Sequence, residues 1–228
     1  KLPAMDMSYH MVFTGNPGTG KTTVARLVAR IYRELGILSE GQLIETDRSR
    51  LVAGYVGQTA INVREVVEQA IGGVLFIDEA YALVSPDTTN DYGSEAVDTL
   101  VKMMEDHRDD LVVIVAGYRE EMEQFLRSNT GLISRFNKFI TFEDYSEQQL
   151  LEILTVMAEQ AGMVVEDTAV KKLGLYLASM NEQERRDFGN ARGVRNVFER
   201  MIVNQANRIV LLEEPTKEQL ITLTAQDV

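Results

Sequence analysis

Gly15-Asn16-Pro17-Gly18-Thr19-Gly20-Lys21-Thr22 is the stretch that decides the fold. It fits the pattern G-x-x-x-x-G-K-[ST] of a phosphate-binding loop, in which glycines let backbone N–H groups turn toward phosphate oxygens. An apolar run precedes the loop at 11–14, and apolar residues follow it at helical spacing from Val24 to Leu35. The phosphates would therefore lie at a helix N-terminus, where unpaired N–H groups and the helix dipole favour anions. A glycine-rich turn without a ligand is the weaker interpretation, because the pattern is complete and both flanks agree with it.

Each polar residue of this loop has a separate expected task. Lys21 places a compact positive charge near the β- and γ-phosphates of ATP, and the Thr22 hydroxyl can coordinate Mg²⁺. The sequence thus predicts ATP and Mg²⁺ as cofactors. The residues expected to bind the nucleotide here are Asn16, Pro17, Gly18, Thr19, Gly20, Lys21, Thr22 and Thr23.

Composition narrows the class of protein. The chain has 228 residues, of which 45% are hydrophobic and 25% charged, and it has no Cys, so disulfides and cysteine-based zinc sites are excluded. The formal charge is 23 − 35 = −12, which disfavours nucleic acid as a partner. No apolar run approaches the roughly 20 residues of a membrane span, so we expect no membrane partner. The absence of Cys fits a reducing cytosol, so we expect a cytoplasmic protein. Because residue 1 is Lys, we also expect a segment of a longer protein.

Strands alternate with helices as far as Glu143, and only helices are predicted after it. Alternation predicts a three-layer α/β domain with a parallel sheet over 1–143, followed by a small all-helical domain over 144–228. We expect helix caps at Ser94, Ser146, Asp167, Asn190 and Thr216, a turn at 129–131 and an exposed loop at 85–93. The predicted strands are Met11–Thr14, Gln42–Thr46, Val74–Ile77, Leu111–Val115 and Phe139–Phe142.

Two acidic residues follow the buried strand at 74–77. Asp78 can hold the metal near Thr22, directly or through water, and Glu79 can orient the water that attacks the γ-phosphate. A strand that ends in acids by chance is the alternative, which the phosphate loop upstream disfavours. His10 and His107 are too far apart for a short metal motif and are expected at the surface.

Further motifs make the chain resemble an AAA+ ATPase. They are Asp78-Glu79 after an apolar run, Ser134-Arg135-Phe136, and Gly189-Asn190-Ala191-Arg192-Gly193-Val194-Arg195. Within that superfamily, the stretches 14–22, 77–81 and 115–118 are similar to the CbbX/CfxQ and stage V sporulation protein K group. The resemblance implies a ring, usually a hexamer, with ATP bound between subunits.

The resemblance also implies roles for single residues. Arg135 would be an arginine finger that reaches a neighbour's γ-phosphate, and Arg192 would be the sensor-2 arginine of the helical lid. Tyr55 and Val56 would form a pore loop that grips a threaded peptide. Each of these side chains has an ordinary surface or packing role as its alternative. Tyr118 stands where the superfamily often has a sensor-1 Asn, which is a departure from its pattern.

The resulting functional prediction is Mg²⁺-dependent ATP hydrolysis coupled to remodelling or threading of a protein partner. An alternative of another class is a nucleotide-gated interaction module, in which ATP binding switches partner affinity and hydrolysis only resets it. A DNA-loading protein is a third option, which the acidic charge disfavours.

Overall fold

A sheet of five parallel strands contains the first strand, β1 (Met11–Gly15), in an inner position. The computed structural model describes residues 8–55, 57–84 and 92–228. The other strands are β2 (Leu43–Thr46), β3 (Val74–Ile77), β4 (Val112–Gly117) and β5 (Lys138–Phe142). Their order is β2-β3-β4-β1-β5, and every pairing is parallel. All five carboxyl ends therefore lie at one edge, where sheets of this kind bind ligands.

The central strands are buried on both faces, as their continuous apolar runs predict. Val74–Ile77 and Val112–Ala116 are at most 2% exposed. Successive side chains of a strand point to opposite faces, so one core contains Leu75, Ile77, Val113 and Val115, and the other contains Val74, Phe76, Val112 and Ile114. The sheet thus separates two hydrophobic cores.

Helices cover both cores. The helix after β1 contributes Ala25 and Ala29 to the core around Phe76, whereas two later helices contribute Val67 and Leu100 to the core around Leu75. The helices are α1 (Lys21–Glu34), α2 (Arg48–Leu51), α3 (Gln58–Ala70), α4 (Tyr92–Asp106), α5 (Arg119–Arg127) and α6 (Thr130–Arg135), with a 3₁₀ helix at Ala80–Val84. This confirms the three-layer α/β prediction.

The chain divides into two compact units. One comprises residues up to Gly15 together with Gly20–Phe142, and the other comprises Asn16–Thr19 together with Glu143–Val228. The second unit contains α7 (Glu147–Gln160), α8 (Asp167–Ser179), α9 (Glu182–Phe188), α10 (Ala191–Ile209) and α11 (Lys217–Ile221). Its core is built from Leu154, Leu173, Val194 and Met201, each 0% exposed. The expected domain boundary between residues 143 and 144 stays a prediction.

Several local predictions require correction. Ser94 does not cap α4, because that helix begins two residues earlier, at Tyr92. The expected turn at 129–131 is instead the start of α6, which Asn129 caps by accepting from the Gly131 N–H at 2.8 Å. The second unit also has a parallel pair of two-residue strands, β6 (Val164–Val165) and β7 (Thr222–Leu223), beside its helices. The loop expected at 85–93 lies mostly outside the described residues.

Ser146 forms the predicted capping box, and Thr216, predicted to open the last helix, also forms one. Asp167 is the first residue of α8, and Glu166 is its N-cap. Asn190 does precede α10, but its side chain makes no capping bond to that helix. Within the described residues, no helix is both long and apolar enough to span a membrane.

His10 is buried, contrary to the expectation of a surface position. Only 5% of it is exposed, and its Nδ1 accepts a hydrogen bond from the Val113 N–H at 2.9 Å. Burial, reinforced by the positive charges of Arg135 and Lys138, lowers the pKa of His10 from 6.5 to about 4. The neutral imidazole thus satisfies a backbone donor at the amino end of the sheet.

The buried imidazole predicts a specific loss of stability in acid. As pH falls from 6.5 to about 4, the unfolded chain takes up a proton at His10 that the folded chain does not. Wild-type protein should lose up to about 3 kcal/mol of unfolding free energy across this window through His10. His10→Asn keeps an acceptor but cannot be protonated in this range. Its unfolding free energy, measured by urea titration at each pH, should therefore fall about 3 kcal/mol less than that of wild type. His107→Asn is the control, and equal pH slopes for wild type and His10→Asn would contradict the prediction.

Candidate functional site

The phosphate-loop motif connects β1 directly to α1. Gly20 is the N-cap of α1 with φ 94°, a left-handed conformation that glycine adopts without steric cost. The Val24 N–H donates to the Gly20 carbonyl at 2.9 Å, which closes the first helical turn over Thr22 and Thr23. No acidic residue lies in that turn. The helix N-terminus is therefore electrostatically suited to an anion.

Lys21 is the first residue of that helix. Its Nζ donates to the Gly15 carbonyl at 2.7 Å, across the base of the loop. This contact places the ammonium group beside the loop rather than out in solvent. The position agrees with the predicted phosphate contact, which itself stays a prediction.

The turn Asn16–Thr19 is held by residues of its own compact unit. Asn16 Nδ2 donates to both carboxylate oxygens of Asp144, at 3.0 and 2.9 Å. A Cβ at Gly18 would meet the Gly189 carbonyl oxygen at 2.1 Å, so a larger residue does not fit. Glycine at this position is required by close packing as well as by its φ of 74°.

Asp78 and Glu79 follow β3 at the carboxyl edge of the sheet. The Asp78 N–H continues the ladder to the Thr46 carbonyl at 2.9 Å, and its carboxylate accepts from the Glu79 N–H at 3.1 Å. Both residues are exposed. Strand β4 separates β3 from β1, so the two strand ends are about 10 Å apart.

Glu79 has a φ of 48°, which is unusual for a residue other than glycine. Such a conformation costs of order 1 kcal/mol or more, and it persists where surrounding structure enforces it. The Ala82 N–H donates to the Glu79 carbonyl at 2.8 Å, which begins the 3₁₀ helix after it. The chain thus leaves β3 through a strained residue directly after Asp78.

An open cleft of about 400 Å³ lies next to this pair, lined in part by Asp47, Arg48 and Ala82. Arg48 Nη1 donates to the carbonyls of Ala82 and Leu83 at 2.5 and 3.0 Å. These bonds tie α2 to the 3₁₀ helix. The carboxylate pair thus faces an open cleft, and the 3₁₀ helix that follows the pair is held by Arg48.

Tyr118 follows β4, between the two strand ends just described. Its ring centroid lies 6.1 Å from that of Tyr81, and a Cβ at Gly117 would meet the Tyr81 ring at 2.7 Å. Burial, together with the nearby Glu79 carboxylate, raises the pKa of Tyr81 to about 12. The Tyr81 hydroxyl therefore stays protonated at neutral pH and remains a donor.

Arg135 lies at the opposite, amino edge of the sheet. It precedes β5, whose Lys138 pairs with Met11 at the start of β1. Because β1 is five residues long, its amino end is roughly 13 Å from the start of the phosphate loop at Gly15. Arg135 Nη2 pairs with Glu105 at 2.9 Å, its side chain is 22% exposed, and its Nε is buried with no hydrogen-bond partner in the described part of the chain. Arg135 is not placed to act at the loop of its own chain.

Two other predicted residues are exposed. Arg192 is in the first turn of α10, and Tyr55 is 80% exposed. Val56 lies outside the described residues. Their predicted roles in nucleotide sensing and in gripping a peptide stay predictions.

The loop and the carboxylates fit a magnesium nucleotide. Mg²⁺ usually keeps several waters and takes one or two carboxylates together with substrate phosphates. In the described ranges there is no cluster of three or more His, Asp or Glu that could enclose a metal. The Thr22 hydroxyl and one carboxylate, Asp78, are the donors this mode requires.

A parallel sheet whose first strand passes through this loop into a helix defines the class of P-loop nucleotide-binding proteins. Residues 11–144 match the ATPase family associated with various cellular activities (AAA), and residues 146–228 match the AAA lid domain. The chain therefore belongs to the AAA family, within the group that includes CfxQ, CbbX and stage V sporulation protein K. It is a nucleotide-binding ATPase, and the predicted resemblance is confirmed.

Curated relatives cover most of the chain. A CfxQ homolog of Galdieria sulphuraria is 45% identical over 100% of this chain and 74% of its own length. The chloroplastic ribulose bisphosphate carboxylase/oxygenase activase of Cyanidioschyzon merolae is 44% identical, over 100% of this chain and 78% of its own. Stage V sporulation protein K of Bacillus subtilis is 45% identical over 96% and 68%.

A solved structure shows the same fold. The FIGL-1 AAA domain in complex with ADP has a TM-score of 0.60 at 20% identity, covering 96% of this chain and 69% of that one. At this identity the likeness concerns the fold alone.

Sequence reasoning missed residues that contact the loop. Asp144 and Tyr145 have no role predicted from the sequence, and Asn190 is predicted as a helix cap and as part of the motif at 189–195. Asp144 and Asn190 are 46 positions apart in sequence, and Asn16 is 128 positions from Asp144. No periodic pattern links such residues, so only the folded chain reveals their contact.

Proposed function

We propose that this ATPase hydrolyses Mg²⁺-ATP in order to remodel a protein partner. The observation that carries the proposal is a phosphate-loop helix and an acidic pair at one edge of the same sheet, in a chain of the AAA family. The division of labour follows from that arrangement. Residues 1–143 would form the nucleotide-binding domain, and 144–228 the lid.

Each side chain of the site has a proposed task. Lys21 neutralises the β- and γ-phosphates, and Thr22 and Asp78 hold Mg²⁺. Glu79 accepts a hydrogen bond from the attacking water and so orients it toward phosphorus. Its strained backbone supports this role, since strain of that kind is concentrated at functional positions.

Arg135 is proposed to complete the site of a neighbouring subunit. It precedes β5 at the amino edge of the sheet, and the length of β1, roughly 13 Å, separates that edge from the start of its own loop. A guanidinium there can stabilise charge on the transferred phosphoryl group only if a second copy presents its nucleotide. A head-to-tail ring, which the family resemblance makes a hexamer, provides that geometry at every interface. Tyr118 and Arg192 are proposed as nucleotide-sensing residues.

Tyr55 is proposed to contact the partner. An aromatic side chain that is 80% exposed is uncommon, and it can grip an extended chain with little dependence on sequence. The activase relative is named for its action on ribulose bisphosphate carboxylase/oxygenase, and another relative is named for sporulation. The partner of this chain is therefore proposed only as a protein, in a cytoplasmic compartment.

A nucleotide-gated switch is the alternative, since it would need the same phosphate loop. A trap experiment separates the two functions. Glu79→Gln protein with Mg²⁺-ATP should retain the partner on a column, and adding Tyr55→Ala should lower retention about tenfold or more. Tyr55→Ala alone should keep ATPase activity within about twofold of wild type. The exposed Tyr176 provides the matched control, Tyr176→Ala.

The outcome decides between the functions. Loss of the partner only with Tyr55→Ala supports remodelling through this residue. Full retention of an identified partner by the double variant would favour the switch instead.

A further inference from the structure

We propose that Tyr145 and Asn190 are positioning residues that orient the phosphate loop by binding its carbonyl oxygens. The inference rests on the proposed function, because it explains how the loop is kept ready for phosphate. Neither residue needs to touch the nucleotide.

Three successive carbonyls of the loop accept hydrogen bonds from the same compact unit. Asn190 Nδ2 donates to the Pro17 carbonyl at 3.3 Å, and the Ala191 N–H donates to the Gly18 carbonyl at 3.1 Å. The Tyr145 hydroxyl donates to the Thr19 carbonyl at 3.1 Å. We call these three bonds the carbonyl brace.

The planar peptide converts this brace into control of the N–H groups. In a trans peptide the C=O of one residue and the N–H of the next point in opposite directions. Fixing the carbonyls of Pro17, Gly18 and Thr19 on one side therefore directs the N–H groups of 18, 19 and 20 to the other side. Convergent backbone N–H groups are what a phosphate site requires.

The other carbonyls of the loop also accept hydrogen bonds. Lys21 Nζ donates to the Gly15 carbonyl at 2.7 Å, and the Thr19 hydroxyl donates to the Asn16 carbonyl at 2.8 Å. The Val24 N–H donates to the Gly20 carbonyl at 2.9 Å. Each of the six carbonyls from 15 to 20 thus has a donor, and the brace supplies three of these donors.

Asn190 is itself held firmly. It is 8% exposed and has a φ of 55°, a strained value that needs support from its surroundings. Its Oδ1 accepts from the Tyr145 N–H at 3.0 Å, and its Nδ2 also donates to Asp144 at 2.9 Å. Because the acceptor and donor contacts agree, the orientation of its amide is defined. These bonds compensate the strain, and they connect Asn190 to the loop at Pro17 and to two residues that also bind the loop, Asp144 and Tyr145.

The test removes single donors and measures phosphate binding directly. Tyr145→Phe keeps the ring but removes the hydroxyl, and Asn190→Ala removes the amide. Each should weaken fluorescent Mg²⁺-ADP binding about fivefold or more, and should weaken competition by inorganic pyrophosphate by a similar factor. Tyr176→Phe, at an exposed tyrosine of the same unit, should change neither. Thermal unfolding without ligand checks that each variant is folded.

Pyrophosphate distinguishes orientation of the loop from a general packing role. If Tyr145→Phe and Asn190→Ala fold and weaken ADP but leave pyrophosphate competition unchanged, the brace does not orient the loop. Unchanged binding of both ligands would overturn the inference while leaving the proposed function intact. A wild-type protein that binds no Mg²⁺-ADP would instead contradict the proposed function itself.

Discussion

Mixing Glu79→Gln subunits with Arg135→Ala subunits is expected to restore ATP hydrolysis that neither variant shows alone. Glu79→Gln removes the carboxylate proposed to orient water, and Arg135→Ala removes the positive charge proposed to reach the next subunit. Each single variant should lower turnover about 100-fold or more while still binding ATP. Steady-state phosphate release from the separate and mixed proteins measures all three rates.

The size of the rescue follows from the geometry. Under the proposed mechanism, a complete site takes Glu79 from one copy and Arg135 from the next, because these residues lie at opposite edges of one sheet. In an equal, random mixture about a quarter of head-to-tail interfaces combine both intact residues. Turnover should therefore return to roughly a quarter of the wild-type rate if interfaces act independently.

Controls make this result interpretable. Mass measurement must show that both variants enter the same assemblies, and Arg127→Ala, a helix-end arginine at an exposed position, should behave as wild type. Verified mixed assemblies with no gain over the separate variants would count against Arg135 acting between subunits. A Glu79→Gln protein with near-normal turnover would exclude Glu79 as the residue that orients water.

Lys21→Ala is expected to abolish measurable nucleotide binding. The ammonium contacts the base of the loop at Gly15 and is the charge proposed to neutralise the phosphates. Removing it should raise the Kd for Mg²⁺-ATP about 100-fold or more and cancel the thermal stabilisation that ATP gives wild type. Calorimetry and thermal unfolding with excess Mg²⁺-ATP provide the two measurements.

The matched control for this prediction is Lys102→Ala, at an exposed lysine of α4. It removes the same charge away from the loop and should leave affinity unchanged. Retained ATP affinity in folded Lys21→Ala protein would refute the assignment of the phosphate loop.

Local patterns in the sequence predicted most of the first compact unit. The apolar runs at 74–77 and 112–115 are strands buried on both faces. A continuous apolar run is favourable in a strand only where helices cover both faces of the sheet. Ser146 and Thr216 formed capping boxes because three-residue spacing specifies that motif by itself. Predictions of this kind depend on neighbours in sequence.

Predictions failed where distant residues decide the outcome. His10 is a polar residue before a strand, and its burial depends on Val113, 103 positions away, whose N–H it satisfies. Asn190 has the sequence position of a cap, but its amide binds Pro17, Asp144 and Tyr145 instead. The positive φ of Glu79 likewise has no signature in residue type, since most such positions are glycine.

The placement of Arg135 has a consequence for the concentration dependence of ATP hydrolysis. If Arg135 acts only between subunits, as proposed, a lone subunit has the loop and the acidic pair but not the neighbour's guanidinium, and its own Arg135 pairs with Glu105. The rate of ATP hydrolysis per subunit should then rise with protein concentration, and dilute subunits should bind ATP without hydrolysing it. Self-association would thereby switch on ATP hydrolysis.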